Sequence, residues 1–243
     1  MLSKKEIKDI QSLTRKKFRE ELKLFIAEGP KIVHELIKYI PGQIEKVYAT
    51  SEWIKTNQHL DIQFHLVEIT DIELEKISQL QTPHQVVAIT RQLENTEPDA
   101  SFFTIYLDTI QDPGNLGTII RIADWFNVKN IVCGLGCADL YNFKVVQATM
   151  GSIARVNVYY DEMGNWLQKQ SSIIYAAGLQ GSSLYTHSRI DTGILLVGNE
   201  SSGIRQELLD YAKEKITIPK KGSAESLNAA VATGIILSHL LVT

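Results

Sequence analysis

Three short segments of this chain place amide, carboxylate, hydroxyl and guanidinium groups where loops leave apolar runs. They are Asp112-Pro-Gly-Asn-Leu-Gly-Thr-Ile-Ile-Arg121, Leu196-Val-Gly-Asn-Glu-Ser-Ser-Gly203 and Ile218-Pro-Lys-Lys-Gly-Ser-Ala-Glu-Ser-Leu-Asn228. Glycine, asparagine or proline beside each apolar run suits loops whose backbone groups and side chains converge on a ligand. In the first, Asp112-Pro-Gly-Asn115 reads as a turn and Gly117 to Trp125 as a helix. The planar fork of Arg121 can hold a phosphate or polarise a hydroxyl, with Asn115 orienting it or the substrate. A surface arginine and a turn asparagine are the structural alternative. In the second, Gly198 ends a buried strand and would let a ligand approach the backbone. Glu200 then stands in the crevice where open α/β sheets bind ligands; a plain strand-to-helix loop is the alternative. In the third, Ser226, Leu227 and Asn228 enter the final helix. Ser226 can simply cap that helix, whereas a buried Asn228 amide must find partners.

Other chemistries find little support. Gly134-Leu-Gly136-Cys-Ala-Asp139 begins like a dinucleotide fingerprint but has Asp where the third glycine belongs. No phosphate loop, zinc-protease helix or serine-hydrolase elbow occurs in the sequence. Cys133 and Cys137 lack a second pair for a zinc site and read as free thiols.

These segments need elements to position them. Residues 4–23 read as a basic helix, Leu24 to Glu28 as a strand stopped by Gly29, and Lys31 to Ile40 as a helix entered through Pro30. With β-prone runs at Lys46–Ala49, His65–Val67 and Gln85–Ile89, the first ninety residues form a small α/β unit. Gln92 to Ser101, with Asn95, Glu97, Pro98 and Asp99, is the expected linker. Beyond it, apolar runs at 102–107, 118–126, 130–133, 143–150, 172–177 and 194–197 alternate as strands and helices. That alternation predicts an α/β fold with a mostly parallel sheet covered on both faces. Leu227 to Leu241 is apolar almost all round and should be buried, in its own domain or against a second subunit. The expected division is residues 1–95 and 96–243.

The 243 residues are 44% hydrophobic and 22% charged, a composition of soluble globular proteins. The first residues carry charge without an apolar stretch, and no run approaches the ~18 apolar residues of a membrane span. A cytoplasmic protein with no membrane partner is the expectation. The formal charge of −3 is unevenly spread. Residues 1–40 hold ten Lys or Arg and six Asp or Glu, a net of +4, which leaves −7 for the remainder. Arg15, Lys16, Lys17, Arg19 and Lys23 form the densest cationic stretch, able to meet RNA phosphate or simply to solvate a helix face.

In order, spacing and wording the three segments resemble the SpoU/TrmH RNA methyltransferases of the SPOUT superfamily. Phe25-Ile-Ala-Glu-Gly-Pro and Thr82-Pro-His-Gln-Val-Val-Ala-Ile resemble the substrate-binding domain of that family's ribosomal RNA enzymes, itself similar to an RNA-binding ribosomal protein. The resemblance implies methyl transfer from S-adenosylmethionine to a ribose 2'-hydroxyl, a trefoil-knotted C-terminal fold and a homodimer. It assigns catalysis and substrate contact to Asn115, Arg121, Glu200, Ser226 and Asn228, and cofactor binding to Gly198, Ile218 and Leu227. Phe143, Gln147 and Lys220 depart from the family pattern, at positions that bear on RNA choice more than on chemistry. Ribosomal RNA is the expected substrate; transfer RNA, and a non-catalytic RNA-binding protein of the same fold, are the alternatives.

Overall fold

The structure, a computed structural model, describes residues 1–60, 64–94, 96–99 and 101–242. Contacts divide it into two units, Met1–Glu94 with Tyr141–Ala154, and Asn95–Leu140 with Arg155–Thr243. Of the expected linker, Asn95 and Ala100 lie outside the described residues. The second unit differs from the contiguous 96–243 expected by lacking residues 141–154.

The first unit opens with two helices, α1 (Lys4–Ser12) and α2 (Lys16–Leu22), where the sequence suggested one. The reason lies in Arg19, which is 4% exposed. Its Nη1 donates to the carbonyls of Leu13 (2.9 Å) and Thr14 (2.9 Å), the orphan acceptors of the break. Strand β1 (Leu24–Glu28), helix α3 (Pro30–Tyr39), strand β2 (Ile44–Ala49), helix α4 (Ser51–Thr56), strand β3 (His65–Glu68), helix α5 (Asp71–Ile77) and strand β4 (Val86–Arg91) follow. The sheet order is β1-β4-β2-β3, antiparallel except for β2 with β3. Ile10, Ile26, Tyr48, Leu74 and Val87 meet in its core, each worth about 1.5–3 kcal/mol when fully buried.

The second unit is a six-stranded, wholly parallel sheet in the order β10-β8-β9-β5-β6-β7. Its strands are β5 (Thr104–Leu107), β6 (Asn130–Cys133), β7 (Asn157–Tyr160), β8 (Ile174–Ser183), β9 (Ile194–Val197) and β10 (Glu214–Thr217). Every residue of β5 and β9 is buried, as befits central strands covered on both sides. Helices α6 (Pro113–Trp125), α8 (Gln206–Leu209) and α9 (Ala229–Val242) belong to this unit. Helix α7 (Phe143–Thr149) packs in the first unit instead, where Gln147 Nε2 donates to the Glu28 carbonyl at 3.1 Å. The rings of Phe25 and Tyr141 lie 5.0 Å apart there.

Two local expectations change. Asp112-Pro-Gly-Asn115 is the first turn of α6: Asp112 is its N-cap, accepting from the Asn115 N–H at 2.8 Å, and Pro113 occupies the first helical position. Helix α9 is not buried all round. Ala229, Ala230, Thr233, Ile236, Leu237 and Leu240 are buried, whereas Val231 is 51% and Val242 65% exposed.

Candidate active site

At the C-terminal ends of β5 and β9 the three segments meet. β5 runs into Asp108, whose fully buried carboxylate accepts from the Arg205 backbone N–H and from Arg205 Nε, each at 2.8 Å. This fastens the far end of the 198–205 loop to the centre of the sheet. The near end turns on itself: Asn199 and Gly203 exchange backbone hydrogen bonds of 3.1 and 2.9 Å, and Asn199 Oδ1 accepts from Ser201 N–H at 2.8 Å. Asn199 Nδ2 donates to the Thr109 carbonyl at 3.1 Å. A Cβ on Gly198 would stand 2.4 Å from the carbonyl carbon of Gly203 and 2.6 Å from the Ile204 nitrogen. At Gly198 the chain's own turn already requires the missing side chain.

Within this frame, Asn115 Nδ2 donates to Glu200 Oε1 at 2.5 Å, and Asn228 Nδ2 donates to Asn115 Oδ1 at 2.7 Å. Glu200 Oε1 also accepts from the Ala229 N–H at 3.2 Å. Asn228 Oδ1 accepts from the N–H groups of Ala230 (3.0 Å) and Val231 (3.2 Å), so Asn228 caps α9. It was expected inside the helix and buried; it stands before the helix, exposed, and its partners are Asn115 and the helix N-terminus. Glu200 does lie near a helix start, but the helix is α9. Three carboxamide and carboxylate groups thus form one chain, with each orientation fixed by its neighbour.

Beside this chain opens a cavity of about 730 Å³, lined by Gly198, Glu200, Ile218, Ser226 and Leu227 together with Ala176 and Ile216. All three residues expected to hold a cofactor therefore border the same space. Ser226 lines it without capping α9. Arg121 does not join. It is exposed on α6, six residues beyond Asn115, hence about 9 Å along the axis and roughly 120° around it. It has no hydrogen bond or ion pair among the described residues. Arg15, Lys16, Lys17 and Lys23 are exposed in the first unit. Arg19 is withdrawn from that group, since its side chain is spent on the α1–α2 break.

Sequence reasoning passed over the Asp108–Arg205 pair and the Asn199 turn. An acid directly after an apolar strand, and an Asn-x-Ser-Ser sequence suited to a side-chain-closed turn, were the available signals. No group of three or more metal-ligating side chains occurs among the described residues, and no helix there is long and apolar enough to cross a membrane.

Residues 102–238 match the SpoU rRNA Methylase family, and residues 4–88 match the MRM3-like substrate binding domain. The chain is 32% identical to the 23S rRNA (guanosine(2553)-2'-O)-methyltransferase RlmP of Bacillus subtilis, over 97% of this chain and 95% of that protein. A TrmH-family RNA methyltransferase structure from Porphyromonas gingivalis superposes with a TM-score of 0.89 at 34% identity, covering 99% of this chain and 98% of that one. An rRNA methyltransferase from Sinorhizobium meliloti, solved with AdoMet bound, does so with a TM-score of 0.84 at 30% identity, covering 98% and 94%.

Proposed function

This chain belongs to the SpoU rRNA methylase family, and from that membership we propose that it transfers a methyl group from S-adenosylmethionine to a ribose 2'-hydroxyl of ribosomal RNA. The observation that carries the reading is the Asn115–Glu200–Asn228 chain standing beside a cavity bordered by Gly198, Ile218 and Leu227. The cavity falls within the roughly 300–1,000 Å³ typical of small-molecule sites. Its apolar Ile218 and Leu227, with loop backbone groups around Gly198, suit a purine and its ribose. When bound, S-adenosylmethionine supplies an electrophilic methyl group on a sulfonium sulfur.

The residues of this chain do the rest. Each carboxamide has two N–H hydrogens. Asn115 spends one on Glu200 and Asn228 spends one on Asn115, so each retains one donor for a substrate oxygen. Glu200, holding Asn115 and the start of α9, is a positioning group. No histidine takes part in this network. The guanidinium of Arg121 carries five N–H donors and no acceptor, so it does not serve as the base. It acts electrostatically, steadying the adjoining phosphate and the oxyanion that develops as the 2'-proton passes to water.

Arg121 lies off the network, and this favours a homodimer in which each subunit supplies Arg121 to the other's site. The exposed apolar residues Trp125, Val231 and Val242 on α6 and α9 support that interface. The first domain, residues 1–95, offers Arg15, Lys16, Lys17 and Lys23 to RNA. A trefoil-knotted path through residues 198–228 and a cytoplasmic location alongside the ribosomal substrate complete the proposal.

The test is transfer of labelled methyl to ribosomal and transfer RNA from cells lacking this protein. Label in a 2'-O-methylated ribosomal nucleotide, absent with Arg121→Ala, is the expected result; label in transfer RNA alone overturns the substrate, and no label with either overturns the activity. Mixing Arg121→Ala chains with Gly198→Trp chains checks sharing: activity recovered in the mixture is expected.

A further inference from the structure

Beyond residue 40 the chain carries a net charge of −7, and within that stretch Lys220-Lys221 is the only adjacent pair of cationic residues. Both are exposed, and both line the cavity beside the catalytic chain. Four other cations of the second unit have carboxylate partners, Arg155 with Asp124, Lys169 with Glu97, Arg189 with Asp191 and Arg205 with Asp108, whereas Arg121, Lys129, Lys213 and Lys215 have no ion pair among the described residues and none of these lines the cavity except Lys215. Neither Lys220 nor Lys221 has an ion pair among the described residues. They sit in residues 218–228, outside any helix or strand, between Ile218 on the cavity wall and the Asn228 cap. Two unpaired ammonium groups on adjacent residues of the cavity lining concentrate positive charge there, which a polyanion offsets.

We propose that Lys220 and Lys221 form a phosphate clamp on the cavity rim, gripping the RNA backbone beside the nucleotide that receives the methyl group. The inference rests on the methyl-transfer reading and adds to it the residues that position the substrate. A polyanion is a better occupant than the cofactor. S-adenosylmethionine carries a sulfonium and an ammonium against one carboxylate, so two further cations would on balance oppose it. Two phosphates of a nucleic acid strand match two ammonium groups as point charges, each contact releasing counterions. The clamp would stand within the same unit as Asn115, Glu200 and Asn228 and would fix the strand's direction past them. The cationic stretch in the first unit supplies a separate grip.

The experiment compares wild type, Lys220→Ala/Lys221→Ala and Lys220→Arg/Lys221→Arg, using full-length chains and 23S ribosomal RNA transcribed in vitro. Filter binding over a series of salt concentrations gives the slope of log Kd against log salt, and equilibrium dialysis gives the S-adenosylmethionine Kd. The slope should fall by about 1.4 in the alanine variant, from two single-strand phosphate contacts at about 0.7 each. RNA affinity should weaken about tenfold at low salt, the arginine variant should restore both, and the cofactor Kd should stay as in wild type. An unchanged slope overturns the clamp while leaving the methyl-transfer reading intact. A weakened cofactor Kd with unaltered RNA binding reassigns the lysines to the cofactor and also overturns it. Wild-type protein that bound neither RNA nor cofactor would overturn both readings.

Discussion

Glu200 Oε1 receives two hydrogen bonds, one from Asn115 and one from the backbone of Ala229, so its charge is committed to holding segments together. Replacing Asn115 by Asp removes the donor and sets a second carboxylate against the first, a like-charge contact that must be relieved by protonation or by movement. The expected outcome is a single-turnover methylation rate lower by about 100-fold or more, the usual cost of one lost donor at a reacting oxygen. Cofactor affinity measured on the same protein should change little, because Asn115 does not line the cavity. Full activity in Asn115→Asp would remove the network from the reaction. The identities of Asn115, Glu200 and Asn228 were legible in the sequence as polar groups beside apolar runs. Their pairing was not, because the partners are 85 and 113 residues apart. Asn228 was read as buried because the helix was begun early; with α9 starting at Ala229, the same residue is an exposed cap.

Strand β7 shows how an element escapes a pattern search. Asn157-Val-Tyr-Tyr160 lies at the sheet edge with only Val158 fully buried, so it offers neither a continuous apolar run nor a full alternation. Its last residue nevertheless secures the loop after β6. The Tyr160 hydroxyl accepts from the Leu140 N–H at 2.7 Å and donates to the Ala138 carbonyl at 2.6 Å. Burial pushes this phenol far above the ordinary tyrosine range, with nearby Cys133 and Asp139 adding to the shift. The unfolded chain releases that proton near pH 10 while the folded chain keeps it, so the contribution is intact below about pH 10 and declines as pH rises further. Tyr160→Phe should lower stability by about 1–3 kcal/mol at neutral pH through two unsatisfied backbone groups. Thermal melts across the alkaline range should show a shallower loss for the variant than for wild type. An identical alkaline slope would mean that Tyr160 is not the titrating group. The α1–α2 break was equally hidden, since only the folded structure reveals that Arg19 turns inward to the carbonyls of Leu13 and Thr14.

Across the whole molecule, it is the second unit that leaves apolar surface uncovered. Trp125 is 84% exposed at the end of α6, with Val231 and Val242 exposed on α9. Trp125→Glu should convert the proposed dimer to a monomer in analytical ultracentrifugation and bring methyl transfer down to the level of Arg121→Ala. A monomeric wild type, or a Trp125→Glu dimer of full activity, would count against site sharing. The α/β class and parallel sheet were legible because buried parallel strands read as apolar runs between helices. The place of 141–154 in the first unit was not, since local periodicity says nothing about which core a helix joins. Strand order carries one more implication, for time. β5 comes first in this unit's sheet, yet it lies between β6 and β9, and the Asn115 amide waits for partners 85 and 113 residues further along. Pairings so distant in sequence form slowly, and the pairing of β5 with β9, Thr104 with Ile194, is as distant, so the Asn115–Glu200–Asn228 network is expected to close only once the central strands have met, after the local helices.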